Sequence, residues 1–394
     1  MAASIIYLDN SATTALLPGV AAVADRMLAD NYGNPSSLHG LGVNAEKALA
    51  AARRQVANLI GARPGEIFFT SGGTEANNTA VWGISRARRR QGKHIITTAI
   101  EHPSLLAACR RLEAEGYEVT CLPVDACGII RLSDLEAALR DDTILVSVMS
   151  VNNELGSLQP LAAVARLVHT KSRAALHVDH IQGYGKIPLQ CSATGIDLMS
   201  LSSHKIHGPK GAGALYVKEG LRLEPLLVGG DQEGGLRAGT ENTAGIAAFG
   251  LAAALAAAEM AARAERLRQI KMALVAGLLQ AISGARINGP DPEAAAPHIV
   301  NISFPGIRAE VLVHMLEQRG IYVSTGSACH SRRQDSSHVL QALHLERWRL
   351  EGAIRISLGA LNRLEEVEPA VTAFKECIRE LWTLSGYSEP VPLK

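Results

Sequence analysis

Aromatic side chains are scarce in this chain, 4% of its residues against 47% apolar ones, so an interior of Ala, Leu and Val on helices and strands is expected. Charge is nearly balanced, at +1, which leaves no bulk field to hold nucleic acid or an anionic membrane. The six cysteines, Cys109, Cys121, Cys127, Cys191, Cys329 and Cys377, form no CxxC and no dense pattern. That spacing excludes an obvious disulfide framework or zinc site and suits reduced thiols; no metal is expected. The N-terminal residues lack a basic n-region and a long apolar h-region, so no signal peptide is read there and a cytoplasmic location is expected. The uncharged run 244–258 is shorter than the ~20 residues of a bilayer span and reads as a buried helix. Neither GxxxxGK[ST] nor GxGxxG occurs, which argues against a P-loop or a standard dinucleotide site.

What is present is an alternation. At 394 residues the chain is long enough for two domains. Strand-like runs at 66–71, 94–100, 118–123, 143–151, 175–181, 197–202 and 214–217 alternate with helical patterns at 74–90, 103–115, 132–140 and 161–171. This predicts an α/β domain with a largely parallel sheet, the last strand following its turn closely enough to pair antiparallel. The basic run Arg86, Arg88, Arg89 and Arg90 sits at a predicted helix end, where cations suit the dipole. An Ala/Leu-rich stretch, 243–283, is too long for one ordinary helix and predicts a bend near Ala262 or Ala276. Beyond it, strands near 298–303 and 354–357 and a helix near 364–384 predict a smaller α+β domain.

The chemistry gathers around Lys205, where an apolar strand breaks into a glycine turn (Leu201 to Gly211). A desolvated ammonium loses its preference for the charged form and becomes a usable nucleophile toward an aldehyde, the chemistry of a Schiff base with pyridoxal phosphate (PLP). Asp179 lies in the apolar strand 175–181; a buried carboxylate needs a cation or strong donors, and a pyridinium nitrogen is such a partner, as is a structural ion pair. Period two places Ile181 on the face of Asp179 and His180 on the other. The turn Thr70 to Glu75 joins a strand to a helix start, a natural anion site, with Ser202 and His204 as further donors. His102 can stack on a planar group and shuttle protons. Arg355, inside an apolar strand, needs an anion: a substrate carboxylate or a structural one. Cys329 lies in a polar, small-residue stretch, 324–337, where His330, Arg332 and Arg333 favour its thiolate; the other five cysteines suit inert structural places.

These motifs in order, Tyr7–Thr14, Gly33–His39, Thr70–Glu75, Glu101–Pro103, Val151–Glu154, His177–Gln182, Ser202–Lys205, Arg237–Asn242, Gly326–Cys329 and Arg355–Gly359, closely resemble the NifS/IscS-type cysteine desulfurases. That family belongs to the class V aminotransferase group of fold type I PLP enzymes. The resemblance implies a large PLP-binding domain (16–260) with a mostly parallel seven-stranded sheet between helices. It also implies a small α+β domain (1–15 and 261–394) carrying the cysteine loop at about 325–337. It implies Lys205 as the Schiff-base lysine, Asp179 on the ring nitrogen, Gln182 on the ring hydroxyl oxygen, His102 stacked on the ring and Asn153 nearby. Gly73, Thr74, Ser202 and His204 would hold the phosphate, with Thr240 from the second subunit of a homodimer. Asn34 and Arg355 would bind the substrate carboxylate, and Cys329 would carry a persulfide to an acceptor, an iron–sulfur scaffold or a tRNA-thiolation protein. His180, Ser203 and Gly234 depart from the family pattern, as do His330, Arg332 and Arg333. The rivals are a selenocysteine lyase or another PLP C–S lyase, an aminotransferase, which gives Cys329 no task, and a non-catalytic sulfur-relay scaffold, which would not need a buried Asp and Lys together.

Overall fold

The computed structural model describes residues 5–325 and 337–388. The alternating block becomes one seven-stranded sheet of Ile67–Thr70, His94–Thr98, Glu118–Leu122, Thr143–Met149, Ala175–Asp179, Leu198–Ser202 and Gly213–Val217. Numbered in that order, they lie side by side as first, seventh, sixth, fifth, fourth, second, third. Only Gly213–Val217 is antiparallel to its neighbours; the short glycine turn before it leaves no room for a crossover helix, which parallel pairing would need. The strands Thr143–Met149, Ala175–Asp179 and Leu198–Ser202 are buried at every position, because both faces of the sheet are covered. One face packs into a core running from Val20 to Ala256, the other into a core from Ala76 to Val217.

The helix Thr243–Ala281 runs 39 residues as one element, so the bend expected near Ala262 or Ala276 does not divide it. Two cores hold the two halves: Phe249, Ala252, Ala253 and Ala256 pack into the large one, and Leu267, Ile270, Leu274 and Leu278 into a second. Length rules based on caps miss this, since tertiary packing rather than capping supplies most helix stability. By length and composition alone this helix would cross a membrane, yet half of its most apolar window is buried inside the protein. The run 244–258 is thus the buried helix that its composition suggests.

The second core joins Ile6 and Leu8 to side chains between Leu267 and Trp382. It covers a three-stranded antiparallel sheet, ordered Ala353–Ser357, Ile299–Ser303, Arg286–Asn288, and the C-terminal helix Val367–Ser385. The strand Ile6–Tyr7 pairs in parallel with Ile321–Tyr322. From there the N-terminal segment crosses to the large sheet, where Thr14 N donates to the His204 carbonyl at 3.0 Å. The helices Pro18–Ala29 and Gly40–Leu59, which the sequence reading leaves unassigned, pack on the long helix.

Candidate active site at the carboxyl end of the large sheet

In an open α/β sheet, ligands bind outside the carboxyl ends of the strands. Five strands end at Thr70, Thr98, Met149, Asp179 and Ser202, and the candidates Gly73, Thr74, His102, Asn153, Asp179, Gln182, Ser202, His204 and Lys205 all lie at or within four residues of such an end.

Asp179 is 4% exposed. Its Oδ2 accepts from Asn77 Nδ2 at 2.8 Å and its Oδ1 from the Ile181 backbone N–H at 3.0 Å. The strand stops at Asp179, so Ile181 is placed by this side-chain turn and not by strand alternation, a correction to the expected geometry. His180 does turn elsewhere: its Nδ1 meets Ser150 Oγ at 2.8 Å, its ring sits edge-on to Tyr184, and burial pushes its pKa down to about 3. Its departure from the family pattern is therefore absorbed by packing.

The glycine turn leads into the helix Gly73–Ala87. A Cβ on Gly73 would stand 2.2 Å from Ile181 Cδ1 and would have to displace that side chain, whereas one on Gly213 would stand 2.7 Å from Gly72 Cα, so backbone approach requires glycine there. The first amides of this helix have no intrahelical acceptor, an arrangement that suits an anion. Ser202 Oγ, whose Cβ lies near Gly73, is buried without a hydrogen-bond partner among the described residues, and so is Gln182 Oε1. Arg237 Nε donates to Glu75 Oε1 at 3.0 Å, tying the segment that carries the exposed Thr240 to the start of this helix.

Lys205 follows the strand Leu198–Ser202 in a single 3-10 turn. Its Nζ donates to the backbone carbonyls of Ser11 and Ala12, the latter at 2.7 Å. Gln182 Nε2 also donates to the Ser11 carbonyl, at 3.0 Å, so the N-terminal segment forms one wall of the site. His204 Nδ1 meets Thr13 Oγ1 at 3.2 Å; burial first, then the nearby Lys205, push its pKa down to about 3. His102 caps the helix Pro103–Ala114, its Nδ1 accepting from the Ser104 N–H at 3.1 Å. Burial holds its pKa below the usual value, with Asp179 acting the other way and Lys205 adding to the depression. Its ring is therefore neutral at neutral pH, with the proton assigned to Nε2 because Nδ1 is an acceptor.

Arg355, 2% exposed, donates through Nη2 to Asp9 Oδ1 at 2.7 Å and through Nη1 to the Asn153 carbonyl at 3.1 Å. Asp9 is thus the structural carboxylate anticipated as a rival for this arginine, while Arg355 Nε is buried without a partner among the described residues. Asn34, exposed in the connection after Pro18–Ala29, accepts from Ser36 N at 2.9 Å in its own turn. Cys329 lies outside the described residues, with His330, Arg332 and Arg333. Of the other five cysteines, Cys121 on the edge strand Glu118–Leu122 is exposed, while Cys109, Cys191 and Cys377 are buried. Ser203 is buried against Gly208. Beside Gly234, Glu233 adopts a φ of 47° and anchors its segment through Arg53 (2.6 and 2.7 Å) and the Phe69 N–H (2.9 Å).

Three residues escape sequence reading. Asn77 is fully buried and, besides Asp179, donates to Ser104 Oγ at 3.0 Å; its signal was a position one helical turn after Gly73, on the side facing the sheet. Glu101, also fully buried, accepts from Thr98 Oγ1 and the Met149 N–H, both at 2.8 Å. Burial raises its pKa to about 8, with Asp179 contributing. Glu154, 3% exposed, accepts from Ser337 Oγ at 2.5 Å, a contact across more than 180 residues that no local pattern announces.

Known proteins are similar to this chain in sequence and fold. The family described as Aminotransferase class-V matches residues 6–369. The chain is 42% identical to cysteine desulfurase IscS of Methanosarcina thermophila, covering 96% of this chain and 93% of the relative. It is 45% identical to a NifS/IcsS protein homolog of Lactobacillus delbrueckii subsp. bulgaricus, covering 98% and 100%. Among solved structures, a NifS-like protein superposes with a TM-score of 0.90 at 38% identity, over 96% of this chain and all of the other. With the fold type I architecture, the lysine-bearing strand end and the glycine turn in place, the chain belongs to the class V aminotransferase family, in its IscS/NifS branch.

Proposed function

We propose that this chain is a PLP-dependent cysteine desulfurase that converts L-cysteine to L-alanine and carries the sulfur as a persulfide on Cys329. The observation that carries the reading is that Asp179 and Lys205 lie at the ends of two paired parallel strands and both act electrostatically on His102, on a chain 42–45% identical to IscS- and NifS-type relatives. The polar groups suit the cofactor: among the described residues the hydroxyl Ser202 Oγ and the acceptor Gln182 Oε1 are buried and unpaired, and Gly73 opens a helix whose first amides lack intrahelical acceptors. When bound, PLP supplies an aldehyde that takes up an amine and a ring that accepts electron density from the substrate α-carbon.

Lys205 would hold the aldehyde carbon and, once displaced, move the substrate α-proton. Asp179, oriented by Asn77, would keep the ring nitrogen protonated. His102 would lie over the ring, Gln182 would face its hydroxyl oxygen, and Asn153 would stand nearby. Gly73, Thr74, Ser202 and His204 would hold the phosphate; the exposure of Thr240 suits its completing that site in the second copy of a homodimer. Arg355, through its unpaired Nε, and Asn34 would take the substrate carboxylate. The Cys329 thiolate forms an S–S bond to the substrate sulfur as the substrate C–S bond breaks. The persulfide then passes sulfur to an acceptor of the iron–sulfur assembly or tRNA-thiolation kind in the cytoplasm. Cys329→Ser tests the reading: it should keep cofactor absorbance and lose sulfide and alanine production. Full activity in that variant would remove the persulfide step.

A further inference from the structure

Buried nitrogen groups that the desulfurase chemistry does not use lie unpaired at the seam between the two main cores. Lys186 is 8% exposed, Arg263 5% and His298 1%. Among the described residues, Lys186 Nζ, Arg263 Nε and both ring nitrogens of His298 have no hydrogen-bond partner. The fold brings their segments together. Lys186 lies in the turn that follows Asp179, its N–H donating to the Gly183 carbonyl at 2.9 Å. On one side of it, Gly185 approaches the long helix so closely that a Cβ there would stand 2.9 Å from the Cβ of Ala256. Arg263, seven residues further along that helix, lies only about 20° off the face of Ala256 and falls between Ala256 of one core and Leu267 of the other. On the other side, Ile187 packs against Ala296 and Ile299, and His298 stands between those two in the chain.

The electrostatics agree with this proximity. Burial first, then Lys205 and Arg263, push the pKa of Lys186 down to about 7. Burial first, then Lys186 and Lys271, hold His298 well below its usual value, with the Gln182 backbone acting the other way. Lys271 is satisfied by the carbonyls of Pro292 and Ala296, at 2.5 and 2.9 Å. Arg263 has its charge matched by Glu259, Nη2 to Oε2 at 2.6 Å, and keeps only Nε open. Lys186 has no such match among the described residues, and a buried ammonium without a counter-charge is costly. The open ammonium and guanidinium nitrogens are donors that accept nothing, and a neutral imidazole adds a third N–H.

We propose that Lys186, Arg263 and His298 form a binding site for one small monovalent anion of the halide class, such as chloride, held between the two cores. The charge sets the valence, since one cation is uncompensated beside an arginine that Glu259 already matches. A water molecule in the same place accepts two of these bonds but leaves the charge of Lys186 unbalanced. The bound anion ties the turn after Asp179 to the segment that opens the strand Ile299–Ser303. The site uses neither Cys329 nor any residue assigned to the cofactor or substrate.

The test uses the full-length, PLP-loaded enzyme in gluconate at fixed ionic strength, with bromide as the probe. Diffraction at the bromine edge should show an anomalous peak within hydrogen-bond reach of Lys186 Nζ, Arg263 Nε and a His298 ring nitrogen. The melting temperature should rise with bromide and saturate, as a ligand of the folded state requires. Lys186→Met keeps the apolar stem without the charge and should weaken the apparent bromide affinity ~10-fold or more, as loss of a hydrogen bond from a charged group does. No peak at these residues in the wild type, or a peak only beside Arg355, would overturn the proposal, and this measurement decides the matter if Lys186→Met does not fold. A bromide response in folded Lys186→Met equal to that of the wild type would overturn it as well. Cysteine turnover enters neither measurement, so the outcome is independent of the Cys329→Ser test.

Discussion

Asn77→Ala removes one donor from a buried carboxylate, and its consequence follows from the hydrogen bonds. Asp179 would lose the 2.8 Å bond to Oδ2 and keep only the Ile181 N–H on Oδ1; Ser104 Oγ would lose its 3.0 Å contact as well. A hydrogen bond to a charged group contributes about 1.5–3 kcal/mol and a neutral one about 1 kcal/mol. The expected loss is therefore about 2–4 kcal/mol in the cofactor-free protein, read as a lower urea midpoint at unchanged slope. Asn77→Asp provides the contrast: nearly isosteric, it puts a second carboxylate against Asp179, so one of the pair must take up a proton, as like-charged neighbours do. Binding of PLP, followed by absorbance, should then become strongly pH-dependent in Asn77→Asp and only weaker in Asn77→Ala. A stability loss below about 0.5 kcal/mol for Asn77→Ala, within the range of ordinary surface changes, would refute the view that Asn77 sustains Asp179.

Gly73→Ala should weaken PLP binding because the new Cβ would meet Ile181 Cδ1 at 2.2 Å; Ile181→Ala in the same chain should recover much of the loss, and no recovery in equilibrium titrations would contradict this contact as the cause. Arg355→Lys keeps the charge but loses the planar fork that serves Asp9, Asn153 and an open Nε, so KM for cysteine should rise ~10-fold or more, by about 1.4 kcal/mol per tenfold; an unchanged KM would leave Arg355 a purely structural partner of Asp9. Acid should destabilise the cofactor-free protein, because His177, His180 and His204 are held at about 3 and His207 at about 4 by burial. They stay neutral in the fold and charge in the unfolded chain below about pH 6.5, so their stabilisation is full above that pH and is lost toward the folded values. Between pH 7.5 and 5.5 this costs about 1.4 kcal/mol each, whereas Glu101, raised to about 8, returns about 2.5 kcal/mol over the same range. A higher melting temperature at pH 5.5 than at 7.5 would contradict that balance.

The sequence alone determined the alternating elements, and it located the strand ends where Lys205, Asp179, His102 and the glycine turn fall, because apolar runs and glycines are local signals. Antiparallel pairing of Gly213–Val217 was legible for the same reason, in the shortness of its turn. The unbroken helix Thr243–Ala281 was not, since its length is sustained by two separate cores. Nor was the fate of Arg355, read equally as a substrate partner or a structural one until the fold brought Asp9 within 2.7 Å from the far end of the chain. The roles of Asn77, Glu101 and Glu154 were not legible for a related cause: a polar residue on a helix or turn shows its function only through the partner it meets when buried. Periodicity and glycine turns decide where chemistry can be placed, being properties of neighbours along the chain. Which carboxylate is satisfied, which donor is left open and which distant hydroxyl Glu154 meets depend on contacts between distant segments, and only the tertiary structure decided them.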